Sequence, residues 1–161
     1  MVINLQDGPS LLALEREVRQ RGSAIEASDL QGCWMLQSVW PKGSEQPSAL
    51  SNWGLRGLQA RLEIDTGNTT PLTIRNAVTL GPLVLRFRGD AELIGRRPLL
   101  MFEFHTLELT IWGRLLLQRS LPAPIPQRRP FFALIARDSS GWLAARGRGG
   151  GLAAWTLVEP G

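Results

Sequence analysis

The chain has one cysteine, one histidine, one lysine and no tyrosine in 161 residues. Cys33 has no second cysteine for an internal disulfide, and Cys33 with His105 falls short of the four ligands of a structural zinc site. Long apolar runs are lacking too. The longest candidate, LLMFEFHTLELTIWGRLLL, is interrupted by Glu103, His105, Glu108, Gly113 and Arg114. It does not give the ~18 continuous apolar residues that a membrane-spanning helix needs. The opening MVINLQDGPS has neither the basic start nor the apolar core of a secretory leader. A cytoplasmic, soluble protein is expected, with no metal site and no prosthetic cofactor.

What is present suits one folded domain. Hydrophobic residues make up 43% and charged residues 20% of the chain, a balance that excludes disorder driven by charge. A domain of this size buries roughly two-thirds of its unfolded surface and needs no covalent staple. Lys42 is the single lysine, so 17 of the 18 basic residues are arginine. That bias is also what the codon habit of a GC-rich genome would give. The net charge is only +4, and the basic residues are spread along the sequence, with short pairs at Arg96-Arg97 and Arg128-Arg129. A polyanion binder concentrates its charge, so no specific nucleic-acid partner is expected.

One helix is expected at the N-terminus. DGPSLLALEREVRQRG offers Asp7 and Ser10 as caps, Pro9 in the first turn, and Gly22 as a stop. Leu11, Leu14 and Val18 recur at helical spacing, broadened by Leu12, while Glu15 and Glu17 interleave with Arg16, Arg19 and Arg21 on the outer faces. From Gly32 the period becomes two. In CWMLQSVW, Trp34, Leu36, Ser38 and Trp40 share one face; in GLQARLEI, Leu58, Ala60, Leu62 and Ile64 do. Further strands are expected at about 73–80, 83–88, 99–106, 108–117, 131–137, 142–146 and 152–158. DTGNTT, GDAELIGRRP, DSSG and GRGGG separate them, and the proline-rich LPAPIPQRRP reads as an extended loop. The expected architecture is mainly β: an antiparallel barrel with one N-terminal helix, residues 1–28 forming the helix and linker and 29–161 a single β domain.

Candidate chemistry is sparse. FEFH puts Glu103 and His105 on one strand face and Phe102 and Phe104 on the other. That is either half of an acid–base pair or a polar face turned to water. RGRGGG has the glycines of a phosphate cradle, but a strand follows it where a P-loop needs a helix, so a hairpin turn is the better reading. Trp142, Ala144 and Arg146 share a face, and the large indole marks that face as inward. Arg146 would then be a buried guanidinium that needs a tryptophan to stack on, or Glu103 or a ligand carboxylate to pair with. Cys33 reads as a small buried hydrophobe. No catalytic set emerges, and no enzyme is expected.

A helix, a short linker and then Gly-x-Trp opening the first strand of an all-β chain is similar to the start of calycin (lipocalin-like) barrels. More narrowly, LQGCWML (Leu30, Gly32, Trp34, Leu36) and GWLAARGRGGGLAAWTLV (Arg146, Gly147, Gly150, Leu152, Trp155) resemble the plastid lipid-associated protein, or fibrillin, family of plastids and cyanobacteria. That resemblance implies a barrel whose closed end is plugged by Trp34. It implies a non-enzymatic role in binding a small hydrophobic molecule (carotenoid, quinone or other lipid), peripheral to a thylakoid membrane. Trp34, Leu36, Glu103, Arg146 and Trp155 would be the ligand-binding candidates, with Arg146 either a structural clasp over the first-strand tryptophan or a ligand contact. The bilin lyases of phycobiliproteins are the next resemblance. A filled barrel acting through its surface as an assembly factor is a third possibility.

The dispersed arginines lead to a direct expectation. Binding to DNA or RNA should be weak, blind to sequence and steeply lost with added salt. Sequence-selective retention in an electrophoretic mobility assay at physiological ionic strength would contradict it.

Overall fold

Among the described residues nine antiparallel strands form one sheet, eight of them closing on themselves in a ring, and one helix lies against the outside. The computed structural model describes residues 8–43, 60–67 and 72–158. Helix α1 spans Gly8–Arg21, and a single 3-10 turn, Ala27–Leu30, leads into the sheet. The strands are β1 (Gly32–Trp40), β2 (Ala60–Asp65), β3 (Leu72–Leu80), β4 (Leu83–Ile94), β5 (Leu99–Ile111), β6 (Arg114–Ser120), β7 (Phe131–Arg137), β8 (Trp142–Gly147) and β9 (Leu152–Val158). Asp7, Leu58 and the end of the DTGNTT turn lie outside the described residues.

The helix ends as its sequence suggests. Gly22 takes a φ of +80° and donates its N–H to the Val18 carbonyl at 2.8 Å, a glycine stop of the usual kind. Arg97 donates to the Arg19 carbonyl at 2.7 Å, tying the last turn to the β4–β5 connection.

The pairing runs β4-β3-β2-β1-β9-β8-β7-β5, and β4 pairs with β5 to close the ring. β5 makes the closure possible by changing partners along one edge. Leu99–Met101 pair with β7, and Thr106–Ile111 pair with β6. Among the described residues β6 pairs with β5 alone.

Strand boundaries differ from expectation in the middle of the chain. GDAELIGRRP reads as punctuation, yet β4 continues through Gly89 to Ile94, because Gly89 is needed at a close crossing. A Cβ there would stand 1.8 Å from the Glu103 carbonyl oxygen. His105 is the extra residue opposite this point, a bulge in β5 that lets the ladder run on. The expected break near Leu107 is therefore absent. The turn falls instead at Trp112-Gly113, both at positive φ.

Two apolar clusters result, one on each side of the sheet. The interior cluster holds Trp34, Leu62, Ile64, Ile74, Leu100, Phe102, Leu134, Leu143 and Trp155. The second holds Leu11, Trp40, Ile135, Ala144, Leu152 and Ala154, with Leu12, Leu14 and Trp142 packed against it, and lies between α1 and the sheet. Trp34 and Trp40 thus do not share a face. β1 pairs Leu36 with Trp155 and Ser38 with Ala154, leaving Gln37 as an extra residue, and that bulge turns Trp40 outward.

Trp34 is fully buried, and its indole N–H donates to the Leu30 carbonyl at 2.9 Å. Truncating it removes that bond and leaves a cavity, so Trp34→Ala should cost about 3–5 kcal/mol in a denaturant-unfolding experiment. A cost under about 1 kcal/mol would mean that the interior does not depend on this ring.

Candidate functional site

The five residues singled out from sequence separate into three places. Trp34, Leu36 and Trp155 meet in the ring interior, with Leu36 directly across from Trp155. Phe132 meets Trp155 edge-on at 5.3 Å and stacks on Phe102 at 5.1 Å, and Phe102 and Phe104 lie 5.5 Å apart. These are the offset and edge-to-face separations of a packed aromatic core. Trp34 and Trp155 are buried within this packing.

Arg146 is not in the interior. It shares its face with Trp142 and Ala144 as expected, but that face is the outer one beneath α1, while Leu143 and Ala145 point inward. The large indole marked a buried face correctly; the chain simply has two. Arg146 does not pair with Glu103. Its Nε donates to Glu15 Oε2 at 2.6 Å and one terminal nitrogen donates to Glu15 Oε1 at 2.8 Å. The other donates to the Gly150 carbonyl at 2.5 Å, across the β8–β9 turn. Glu15, expected on the exposed side of the helix, is only 8% exposed. It lies four residues after Leu11 and three before Val18, so it falls on the apolar stripe, a signal legible in the sequence.

The forked guanidinium holds the Glu15 carboxyl below its ordinary range, more strongly than burial raises it, with Arg19 helping at 3.6 Å. The Arg146 guanidinium is held above its ordinary value by the same bonds, against the effect of burial. A planar bidentate pair of this kind is a structural clasp between helix and sheet.

The arginine that does lie over Trp34 is Arg137, at the end of β7, 5.0 Å from the ring centroid. Its Nε donates to the Asp29 carbonyl at 2.9 Å, and another nitrogen reaches the Asp138 carbonyl. The stacked arginine expected at Arg146 is therefore supplied one strand earlier. Nothing in the local pattern of FFALIARD reveals this, because Ile135 is an extra residue in β7 that resets the alternation before Arg137.

Glu103 lies on the outer face with His105. His105 Nε2 is 2.9 Å from Asp90 and 3.9 Å from Glu103. No serine or cysteine nucleophile is among their hydrogen-bond partners. Cys33 is partly buried, and desolvation, with Glu63 adding to it, raises its thiol pKa above the ordinary value, which disfavours the nucleophilic thiolate. Among the described residues no group of three or more His, Cys, Asp or Glu side chains could hold a metal ion, and no helix is long and apolar enough to cross a membrane.

The most exposed apolar surface was not anticipated. The β3–β4 and β5–β6 turns sit side by side, joined by a bond from the Trp112 N–H to the Pro82 carbonyl at 3.0 Å. Trp112 is 81% exposed, and Leu80, Leu115 and Leu116 are more than half exposed. Behind this tip, cross-strand rows carry apolar side chains back towards the core. Val78, Leu85, Leu109 and Leu117 stand opposite one another in turn, as do Leu80, Leu83 and Ile111. Phe87 continues the surface to Phe104 at 5.4 Å.

Comparisons with protein-family models, with curated proteins and with solved structures found no match to the chain.

The Glu15–Arg146 clasp sets a pH dependence. With the folded-state carboxyl pKa depressed, its stabilisation is fully present above the unfolded value of roughly 4.3 and is lost as pH falls through the lower folded value. Glu15→Gln should cost about 2 kcal/mol at neutral pH and flatten this acid limb. A variant with an unchanged acid-unfolding profile would show that the pair adds nothing.

Proposed function

We propose that the protein is a non-enzymatic binder of a hydrophobic small molecule, of the isoprenoid or lipid type, and that it works at a membrane surface. On this reading the ring is a lipocalin-like (calycin) barrel, and the matches around Trp34 and in the β8–β9 hairpin reflect kinship with the plastid lipid-associated proteins. The working environment would be the cytoplasmic side of a thylakoid membrane, approached peripherally. The observation that carries the proposal is the exposed apolar tip at Leu80, Trp112, Leu115 and Leu116, from which Leu80 leads through Leu83 and Ile111 onto the inner face of the sheet. A tryptophan at the tip, followed by Gly113 and Arg114, suits a bilayer interface, where an amphipathic ring settles at headgroup depth.

Trp112 occupies its turn against local preference. With φ of +51°, and Gly113 at +76°, this is a hairpin turn in which Asn-Gly is the favoured pair. A bulky residue in that conformation costs backbone energy. A side chain kept there at 81% exposure does not repay the cost by packing; binding through the ring gives it a purpose.

The interior favours the lipid reading over the bilin-lyase one. The cation that lies over interior Trp34, Arg137, is already bonded to the Asp29 and Asp138 carbonyls, so it is not free to pair with the propionates of a tetrapyrrole. The aromatic packing around Trp155 also favours a second reading, a filled barrel acting as an assembly factor, in which the same tip meets a protein partner.

Trp112→Asn separates these. It should leave thermal stability unchanged or raised, since asparagine suits the turn. It should weaken sedimentation with carotenoid- or quinone-loaded vesicles at least tenfold. If the wild-type protein binds neither vesicles nor these lipids, the lipid reading is wrong; if it binds them and the variant binds equally well, the tip is not the site.

A further inference from the structure

The arginines that look dispersed in the sequence are brought together by strand pairing. On the outer face of the ring, Arg75 of β3 stands directly opposite Arg88 of β4. One row further along, Ala77 is flanked by Arg61 of β2 on one side and Arg86 of β4 on the other. Ala77 is the small residue in a hollow lined by three arginines, Arg75, Arg86 and Arg88. A cleft of about 190 Å³ opens there, lined by Arg75, Ala77, Arg86 and Arg88 and also by Glu63 and Glu108. The next row carries Asp65 and Asp90, and Asp90 is engaged by His105.

Like charges directly opposite in an antiparallel pair destabilise the sheet. Glu63 opposite Arg75 and Glu108 opposite Arg86 relieve part of this cost, but neither stands opposite Arg88. Arg75 reaches Glu63 only at 3.8 Å, and Arg86 reaches the Thr110 hydroxyl only at 3.4 Å. Arg88 and Arg61 make no hydrogen bond or ion pair with any described residue, and Gln118 shares Glu108. Three cations against two carboxylates in the lining leave an excess of one positive charge around one small side chain.

We infer that this hollow is an anion site whose ligand is a phosphate group. A tetrahedral oxyanion over Ala77 would accept paired N–H donors from Arg75, Arg86 and Arg88 at once, the planar fork geometry that arginine offers phosphate. It would also neutralise the repulsion across the strands. The site is on the outside of the ring, separate from the apolar tip, and does not depend on the lipid reading. The phosphate belongs either to a small phosphomonoester or to a lipid headgroup.

The test is thermal unfolding of the full chain in low-salt buffer with inorganic phosphate or with chloride at matched ionic strength. Phosphate should raise the melting temperature and chloride should not. Arg88→Gln should melt higher than wild type without phosphate, because repulsion is relieved, and should lose at least tenfold in phosphate affinity. Arg128→Gln, remote from the hollow, should behave as wild type. Vesicles of phosphatidylcholine with and without phosphatidic acid separate the sources. Arg88-dependent retention on phosphatidic acid that free phosphate competes away only weakly identifies a headgroup; full competition identifies a soluble phosphate ligand. Equal shifts with chloride, an unchanged Arg88→Gln response, or a preference for oligonucleotides over phosphate would overturn the inference.

Discussion

A single extra residue in β1 governs how this chain is built. Because Gln37 has no residue opposite it in the β1–β9 register, the alternation reverses between Leu36 and Ser38. Without that reversal Trp40 would follow Trp34 and Leu36 inward. With it, Trp34 fills the interior, while Trp40 joins Ala144, Ala154 and Leu152 as a floor for the helix. Helix α1 therefore has an apolar surface to lie on, and Glu15 is carried to the edge of that surface, where Arg146 waits. The two clusters and the clasp between them are consequences of one backbone irregularity.

Electrostatics are handled differently on the two outer faces. Beneath the helix, a cation is held by one carboxylate with two-point geometry and by a backbone oxygen. On the β2–β3–β4 face, arginines stand opposite one another and make only long contacts. The first arrangement is self-sufficient; the second is incomplete within the described chain. Arg146 is largely buried and its fork is filled, while Arg75, Arg86 and Arg88 are exposed and keep donors free for water or a ligand.

Much of the fold can be read from residue order, and most of the site cannot. The glycine stop after α1, and β7 and β9 at their full lengths, follow from spacing and punctuation. Period-two reasoning holds only until a bulge intervenes. Gln37, His105, Leu116 and Ile135 each reset it, and no composition rule marks those positions. This is why Arg137 and not Arg146 lies over Trp34, and why Trp40 leaves the face of Trp34. The arginine hollow was illegible for another reason: Arg75, Arg86 and Arg88 lie on two strands, and only register unites them. Glu15 is the opposite case, since its place on the Leu11–Val18 stripe was open to view and an acidic side chain was assumed to face water.

The way β5 divides its edge has a mechanical meaning. Every strand in the closed circuit is held by two neighbours, so removing one opens the whole ring. Among the described residues β6 is held by β5 alone, over Thr106–Ile111, and leads into the proline-rich connection to β7. It can swing away at the cost of one ladder while the circuit stays intact, which makes it a hinged flap on a rigid hoop. The exposed leucines Leu115 and Leu116 ride on that strand, so the strand with a single pairing partner among the described residues also presents apolar surface.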